Sequence, residues 1–524
     1  MTAAGISLRP GRATARRMAC LAALGRLLRL ELKRNAVPFV LPLLAAVFYF
    51  DTVRTADGFP PVWTLRASVI GDHMLFEFSA FAGGLAAWAG SRERRRKTLD
   101  LAATTPRPAW ARLSITLAGT LCWLLLAFLA GVAVLYVQTA LQATWGGPPL
   151  WPVFAGAAGV IVVTMIGFTC GVVFPGRFTA PLVAIGVLVL YQVGLRQALG
   201  VTSSSGTYAL LSPASAPPSV DAGVYYHVAP DVLITQVMFM GGIAVALLGV
   251  LGLVAALRQR ASAGGLRSLR AALARGDGWL LRPLAVILVA CGVAASWTAF
   301  ALAGTAKPDA TGGWQIPALH SAASGHPVPV TQDCTSSRFQ VCVHPAFSFY
   351  LHDLAAALDP VAAEIAGLPG APTRAEEVAS VSGGQDVQSG ISGTPPVFEF
   401  TAERVGSMFG QFYGIPDPVG WREGFQQGLL DAFLTGRPPH AGAVSIQLGA
   451  AQQAVEDALL TTAGTNLSAT IGKMLQNGQP IAGPSAVVSA AQRFAALSAS
   501  ARHAWLAAHL AALRAGKITL AMIP

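Results

Sequence analysis

The stretch from Leu113 to Val137 runs for 25 residues without a charged side chain. No other feature constrains this chain so strongly. About 20 apolar residues in helical form cross the ~30 Å hydrocarbon core of a bilayer, where each helix must satisfy its own backbone polar groups. At ~1.5 Å per residue this run exceeds the core and must tilt or protrude. Shorter apolar runs accompany it and predict spans at about 36–53, 69–90, 113–137, 151–174, 178–197, 232–257 and 283–304. In the first, Pro38 and Pro42 loosen the opening turns, and Asp51 and Arg54 follow the apolar part. Only 12% of the 524 residues are charged, about half the share of an ordinary soluble domain. The composition is that of a polytopic membrane protein.

The net charge of +11 is concentrated in short segments beside the apolar runs. That is the pattern of topology determinants and anionic headgroup contacts, not of a nucleic-acid-binding face. With the N-terminus in the cytoplasm, the inside segments hold 22 basic residues. The loops 54–68, 138–150 and 198–231 hold Arg66, with Arg54 at the edge of the first. The positive-inside rule therefore predicts a cytoplasmic N-terminus, and seven spans place everything after Gly304 outside the cell (plasma) membrane. Residues 18–34, with Leu21, Leu24, Leu28 and Leu32 on one stripe, predict an amphipathic helix along the cytoplasmic interface. Arg16 and Arg17 loosely mimic a twin-arginine leader. The apolar stretch behind them is short, Arg26 and Arg29 interrupt it, and no small-residue cleavage site follows, so no cleaved signal is expected.

The expected architecture is an all-α polytopic membrane part of about seven transmembrane helices plus a mainly helical α+β extracytoplasmic domain. Residues 1–35 form the cytoplasmic N-terminus, 36–257 a six-helix membrane domain, and 258–282 a basic cytoplasmic loop. Residues 283–304 form the seventh helix and 305–524 the outer domain, whose net charge is −4. Lys307 to Asp333, rich in Gly, Pro and Ala, reads as a linker. Helices are expected at His352–Ile365, Trp421–Leu434 and Ala490–Leu513, short strands at Val397–Phe400 and Ile518–Ile523, and a loop at Ser382–Gly393. Cys334 and Cys342 are the only cysteines in this domain. An oxidising exterior favours a disulfide there, worth about 2–3 kcal/mol; two free thiols or a metal pair are the alternatives. Cys20, Cys122, Cys170 and Cys291 lie in or beside membrane segments as small apolar packing residues.

The inside loop Ser91-Arg92-Glu93-Arg94-Arg95-Arg96-Lys97-Thr98-Leu99-Asp100-Leu101-Ala102-Ala103-Thr104-Thr105-Pro106-Arg107 carries a charged turn, a short amphipathic piece and a Thr-Pro stop. It resembles the loop between the second and third spans of type-2 ATP-binding-cassette export permeases. The matching positions are Glu93, Thr98, Leu99, Thr105, Pro106 and Arg107, with Arg94 and Arg95 in the basic start. Lys97 stands where that family usually has Gly, and Ala102-Ala103 replaces a common Leu-Leu pair. The resemblance covers roughly residues 18–257; the seventh span and outer domain are additions to the family plan. It implies that this loop couples the permease to a separate ATP-binding-cassette ATPase subunit, which binds ATP and Mg. It also implies pairing with a second permease copy or a related permease in the lipid bilayer. This chain itself lacks a Walker A motif: Gly472-Lys473-Met474 has neither the hydroxyl nor the spaced glycine. It is therefore expected to be a transport subunit rather than an enzyme, with no cofactor of its own.

Glu77 lies in the second span with Asp72 and His73 near its outer end, and is a possible pathway residue; an interfacial or helix-pairing role is the alternative. Arg196 reads as a snorkelling end residue. In the outer domain no His-Glu-x-x-His or Gly-x-Ser-x-Gly occurs, and His344, His352 and Cys342 are the residues that a metal would use. The alternative function is a membrane-anchored extracytoplasmic binding protein or hydrolase. A secondary transporter is disfavoured by the lack of paired broken helices with midplane charges.

Overall fold

The computed structural model describes Ala23 and residues 25–57, 60–96, 109–199, 210–212, 223–262, 277–308, 314–321, 326–379, 387–401, 420–441, 448–464, 474–476, 479–481 and 485–524. Lipid tails are as apolar as Leu, so helices in a bilayer pair through close packing of small residues rather than through hydrophobic contact. Two seams of this kind organise the bundle. The first joins α4 (Leu75–Gly90) to α6 (Trp151–Val173). A Cβ at Gly167 would overlap the carbonyl oxygen of Gly83, one at Gly171 that of Ala87, and one at Gly90 that of Phe168. The second joins α8 (Asp231–Ser262) to α9 (Asp277–Ala303). There a Cβ at Gly242 would lie 2.7 Å from the Gly292 carbonyl, and one at Gly249 2.6 Å from that of Ala285. Ser296 Oγ also donates to the Phe239 carbonyl across this seam (3.1 Å).

The remaining helices gather around these pairs. They are α1 (Gly25–Arg34), α2 (Val37–Phe48), α3 (Trp63–Val69), α5 (Ala109–Gln142) and α7 (Thr179–Leu199). Helix α2 runs into a π-helical turn, Tyr49–Val53, and α3 leads through another, Ile70–Met74, into α4; the two turns pack together. Among the described residues α5, α6, α8 and α9 are long and apolar enough to cross a bilayer, and the bent pair α1–α2 supplies a fifth crossing if taken as one. The chain is thus a helical membrane protein. The predicted second span is divided by its π turn, and the fifth is apolar over Thr179–Tyr191. Helix α5, at ~1.5 Å per residue, is about 51 Å long and projects beyond any bilayer core.

Exposed apolar side chains such as Phe39, Leu43, Leu126, Leu182 and Ile287 cover the bundle's flanks. Aromatic pairs collect at its two ends. Tyr49–Phe50, Trp151–Phe154 and Trp297–Phe300 lie toward the C-terminal domain. Trp88, Phe174 and Phe178 lie at the opposite end. Such girdles sit where a bilayer's headgroups begin.

The C-terminal domain is built on a five-stranded sheet with β1 (Asp333–Cys334), β2 (Gln340–Val343), β3 (Arg374–Val378), β4 (Gly390–Ser392) and β5 (Val397–Thr401), in the order β1-β2-β3-β5-β4. The central β2, β3 and β5 are parallel and the two edges antiparallel. Val341, Val343, Ala375, Phe398 and Phe400 enter one core with helices α10 (Leu351–Ile365), α11 (Gly420–Thr435), α12 (Ala450–Thr462), α13 (Ser485–Ala495) and α14 (Ala499–Arg514). The disulfide Cys334–Cys342 joins directly opposed residues of β1 and β2. Arg502 holds Glu364 through both Nη2 contacts, at 2.8 and 2.9 Å, tying α14 to α10.

Several expectations need correction here. The single helix expected over Ala490–Leu513 is two, because Ser498 takes an extended conformation and its hydroxyl caps the second at the Ala501 N–H. Ile518–Ile523 holds a short 3₁₀ turn, Leu520–Met522, in place of a strand. Within the expected loop Ser382–Gly393, β4 forms at Gly390–Ser392; a Cβ at Gly390 would overlap Pro439.

The described part of the expected linker is docked. Ile316 N–H donates to the buried Asp231 carboxylate at the start of α8 (3.2 Å), and His320 Nδ1 lies 2.9 Å from the same oxygen. Val328 N–H donates to the Tyr225 carbonyl (2.7 Å). The domain's core takes in Val62, Leu65 and Val224–Tyr226 from the ends of the bundle. Gly223, at φ 84°, turns that segment where a side chain would strike Thr64. His344 is the pivot of this junction: its ring meets Trp145 at 4.7 Å and Tyr225 at 4.8 Å. Thr144 Oγ1 donates to the Pro345 carbonyl beside it (2.6 Å). Burial pushes the His344 pKa down to about 4, against a smaller upward pull from Asp333, so the ring is neutral at pH 7.

Two predictions follow from the packing. Replacing Gly171 by Val forces the first seam apart and lowers thermal stability in detergent by about 1–3 kcal/mol. Gly186→Ala, where nothing lies within 4 Å, leaves it unchanged. The second concerns Glu456, which burial, Asp431 and Asp457 push up to about 9. Its folded pKa is raised, so the folded state holds the proton longer and stability declines as pH climbs from about 4.5 to about 9. Glu456→Gln should flatten that decline in a pH series of melting curves.

Candidate coupling site at the basic end of the bundle

The end of the bundle away from the C-terminal domain is where basic residues and helix ends coincide. Helix α4 ends at Gly90, which lies against the Phe168 backbone. Ser91 follows, and its hydroxyl donates to the Trp88 carbonyl (3.1 Å), covering an acceptor that the helix end leaves open. A single helical turn, Arg92–Arg95, then carries three of the expected coupling residues, Glu93, Arg94 and Arg95.

Each charged side chain of this turn except the exposed Arg94 is tied to a different part of the bundle. Arg92 reaches Glu31 of α1 through two contacts, Nη1 at 2.6 Å and Nη2 at 3.1 Å. Its Nη2 also lies 3.4 Å from the Thr116 hydroxyl of α5. Glu93 faces Arg112 in the first turn of α5 at 3.6 Å. Arg95 lies flat over the Trp88 ring, 3.3 Å from its centre, while its Nε donates to Ser91 Oγ (3.0 Å) and its Nη2 to the Trp88 carbonyl (2.6 Å). Burial there, with Arg96 alongside, lowers the Arg95 pKa from its ordinary value; a guanidinium keeps its charge through such a shift.

The same contacts fix α1. Trp123 Nε1 donates to the Leu32 carbonyl (3.0 Å), and Gly119 lets the Glu31 side chain lie against the α5 backbone. Asn35 stops α1: its Oδ1 accepts the Val37 N–H (3.0 Å) and its Nδ2 donates to Thr120 (3.2 Å). The chain bends by 60° there. Leu28 and Leu32 of the predicted stripe are half-buried, on the arc of α1 that also carries Glu31. Leu21 and Leu24 lie outside the described residues. So does the segment 97–108, and with it Thr98, Leu99, Thr105, Pro106 and Arg107.

Glu77 is not part of this site. It lies half-buried in the first turn of α4, just beyond the π turn, near the opposite end of the bundle. The residues His344, His352 and Cys342 do not assemble as metal ligands, since Cys342 is bonded to Cys334 and His344 is enclosed by aromatic rings. Among the described residues no group of three metal-ligating side chains forms. Glu31 and Arg112 are the members of the site that motif reasoning missed. One signal was present: Glu31 is the only acidic residue in the first 50, and a lone carboxylate among so many cations has a structural partner to find.

The Glu31–Arg92 pair is testable by charge exchange. Either E31R or R92E alone should lower the melting temperature by an amount equivalent to about 1 kcal/mol, the scale of a partly exposed charge-assisted pair. The double variant should recover most of that loss. Comparison of the chain with family models, with curated proteins and with solved structures gives no match.

Proposed function

We propose that this chain is the membrane-spanning permease subunit of an ATP-driven export system of the ATP-binding-cassette type. The observation that carries the reading is the anchoring of the basic turn. Arg92 and Glu93 bind α4, α1 and α5 into one unit at the two ends of the 97–108 segment. Residues 97–108, which carry Thr98, Leu99, Thr105, Pro106 and Arg107, lie in sequence between Glu93 and Arg112, and a push from an ATPase delivered there would reach three helices at once. On this reading ATP and Mg bind in a separate ATPase chain, and the permease works with a second copy or a related permease.

The same reading orients the molecule. The basic end lies in the cytoplasm, following the charge asymmetry of the loops, and the C-terminal domain with its disulfide lies outside the plasma membrane. Seven spans complete the topology, with the π-divided α3–α4 as the second and α7 as the fifth. Glu77 is then near the outer mouth, where a polar side chain can meet cargo.

One observation favours a second reading, an outer-face binding protein. Parallel sheets ordinarily have both faces covered. Here, among the described residues, Gln340, Arg374, Glu376 and Glu399 line an open face with two adjoining grooves of about 500 and 540 Å³.

A pull-down of the tagged full chain in mild detergent, followed by an ATPase assay on the eluate, separates the two. The exporter reading expects a stoichiometric ATP-binding chain whose retention drops at least tenfold with Glu93→Ala combined with Arg107→Ala. An eluate from well-folded protein that lacks any such chain contradicts it, and directs attention to the grooves of the C-terminal domain.

A further inference from the structure

Helix α1 divides its side chains between two arcs. At about 100° per residue, Leu27, Leu28, Glu31 and Leu32 share one arc, and all four are half-buried, with Glu31 held by Arg92. Arg26, Arg29, Leu30, Lys33 and Arg34 share the other, and all five are exposed. Among the described residues none of these four cations is paired with a carboxylate. Among the described residues the apolar arc of α1 is thus the more buried one, and the exposed arc presents four positive charges around one leucine.

The height of this face along the bundle is set by independent contacts. Glu31 meets Arg92, one turn from the place where Arg95 covers Trp88. At the same end of the bundle Arg177 lies 4.8 Å over Phe178, with Phe174 and Phe178 both exposed. Aromatic rings with outward-facing cations mark the level of lipid headgroups. The 60° bend at Asn35 turns α1 aside from the axis of α2 instead of prolonging it, so the ten residues of α1 advance along that axis by only about half their ~15 Å length.

We propose that the exposed face of α1 is a docking surface for anionic phospholipid headgroups, held by Arg26, Arg29, Lys33 and Arg34. The charge complementarity is one-sided: a continuous cationic arc carries no carboxylate to set register against a protein partner, while lipid phosphates can reach every position. Leu30, 49% exposed at the centre of the arc, can enter the acyl boundary between headgroups, as on interfacial helices. Each cation close to an anionic surface contributes about fivefold to partition, so four acting together give a preference of about a hundredfold or more. The inference does not rest on the exporter reading, because it needs neither an ATPase nor a cargo.

The test is native mass spectrometry of the full chain taken from micelles containing equal amounts of phosphatidylglycerol and phosphatidylcholine. Wild type should retain phosphatidylglycerol by the large factor above. The variant R26Q/R29Q/K33Q/R34Q should fall to within about fivefold of parity, while R94Q/R96Q, which removes exposed cations at the same end, should keep most of the preference. If the quadruple variant is unstable, R26Q/R29Q and K33Q/R34Q should each lose about half of the preference on a logarithmic scale. Three results overturn the proposal. The first is an unchanged preference in folded variants of α1. The second is a wild-type preference abolished by inorganic phosphate, which would place the ligand in solution. The third is loss of a co-purifying protein from those variants while lipid retention stays the same.

Discussion

The carbonyl oxygens of Gly83 and Ala87 lie against Gly167 and Gly171 with no room for a single carbon between them. Everything else in the membrane part is arranged around that approach. Two helices so close cannot slide or rotate independently, since any shift brings backbone onto backbone. They form a keel to which α5, α7 and α8 attach with ordinary side-chain contacts, and α9 then joins α8 by the same device. Phe39, Leu126 and Ile287 are exposed on the flanks, while Phe128 and Phe168 fill the space between helices away from the closest approach.

A second constraint is that hydrogen-bonding groups are costly in hydrocarbon unless partnered, and most of the bundle's buried threonines meet it within their own helix. The buried hydroxyls of Thr120, Thr139 and Thr164 each return to the carbonyl four residues earlier in their own helix, at 2.7–3.0 Å. Charges are pushed to the two ends. At one end they form the Glu31–Arg92 and Glu93–Arg112 pairs. At the other the Asp231 carboxylate, fully buried, receives the Ile316 N–H. These ion pairs thus lie at the two ends of the bundle, among the described residues.

Much of this was legible in the sequence, for identifiable reasons. Long apolar runs announce themselves by composition, so Leu113–Val137 and its neighbours predicted α5, α6, α8 and α9 well. The opposed Cys334 and Cys342 were near in sequence and alone in their domain, which made their bond readable. Residues that owe their role to distant partners were not readable. Nothing in the neighbourhood of His344 says that Trp145, almost 200 positions earlier, will cover its ring. The raised pKa of Glu456 comes first from burial and then from Asp431 in another helix. The stretch Lys307–Asp333 has the composition of a tether, yet Ile316 and Val328 are fixed by Asp231 and Tyr225, partners that composition does not reveal. The basic turn lies between these cases. Its charge was evident, but the anchors Glu31 and Arg112 became visible only once α1 and α5 had been set side by side.

The shared core between the C-terminal domain and the bundle has a consequence for how the protein is made. Val62, Leu65 and Val224–Tyr226 leave the ribosome long before Phe339, Phe347 and Phe398, members of the same core. Until the last third of the chain has been synthesised and delivered to that side of the bilayer, these early segments have no surface to rest on. The rim of the bundle is therefore the last part of the membrane domain to mature. A chain that ends early would carry an intact keel beneath an unfinished apolar rim, the kind of surface that quality-control proteases and chaperones recognise.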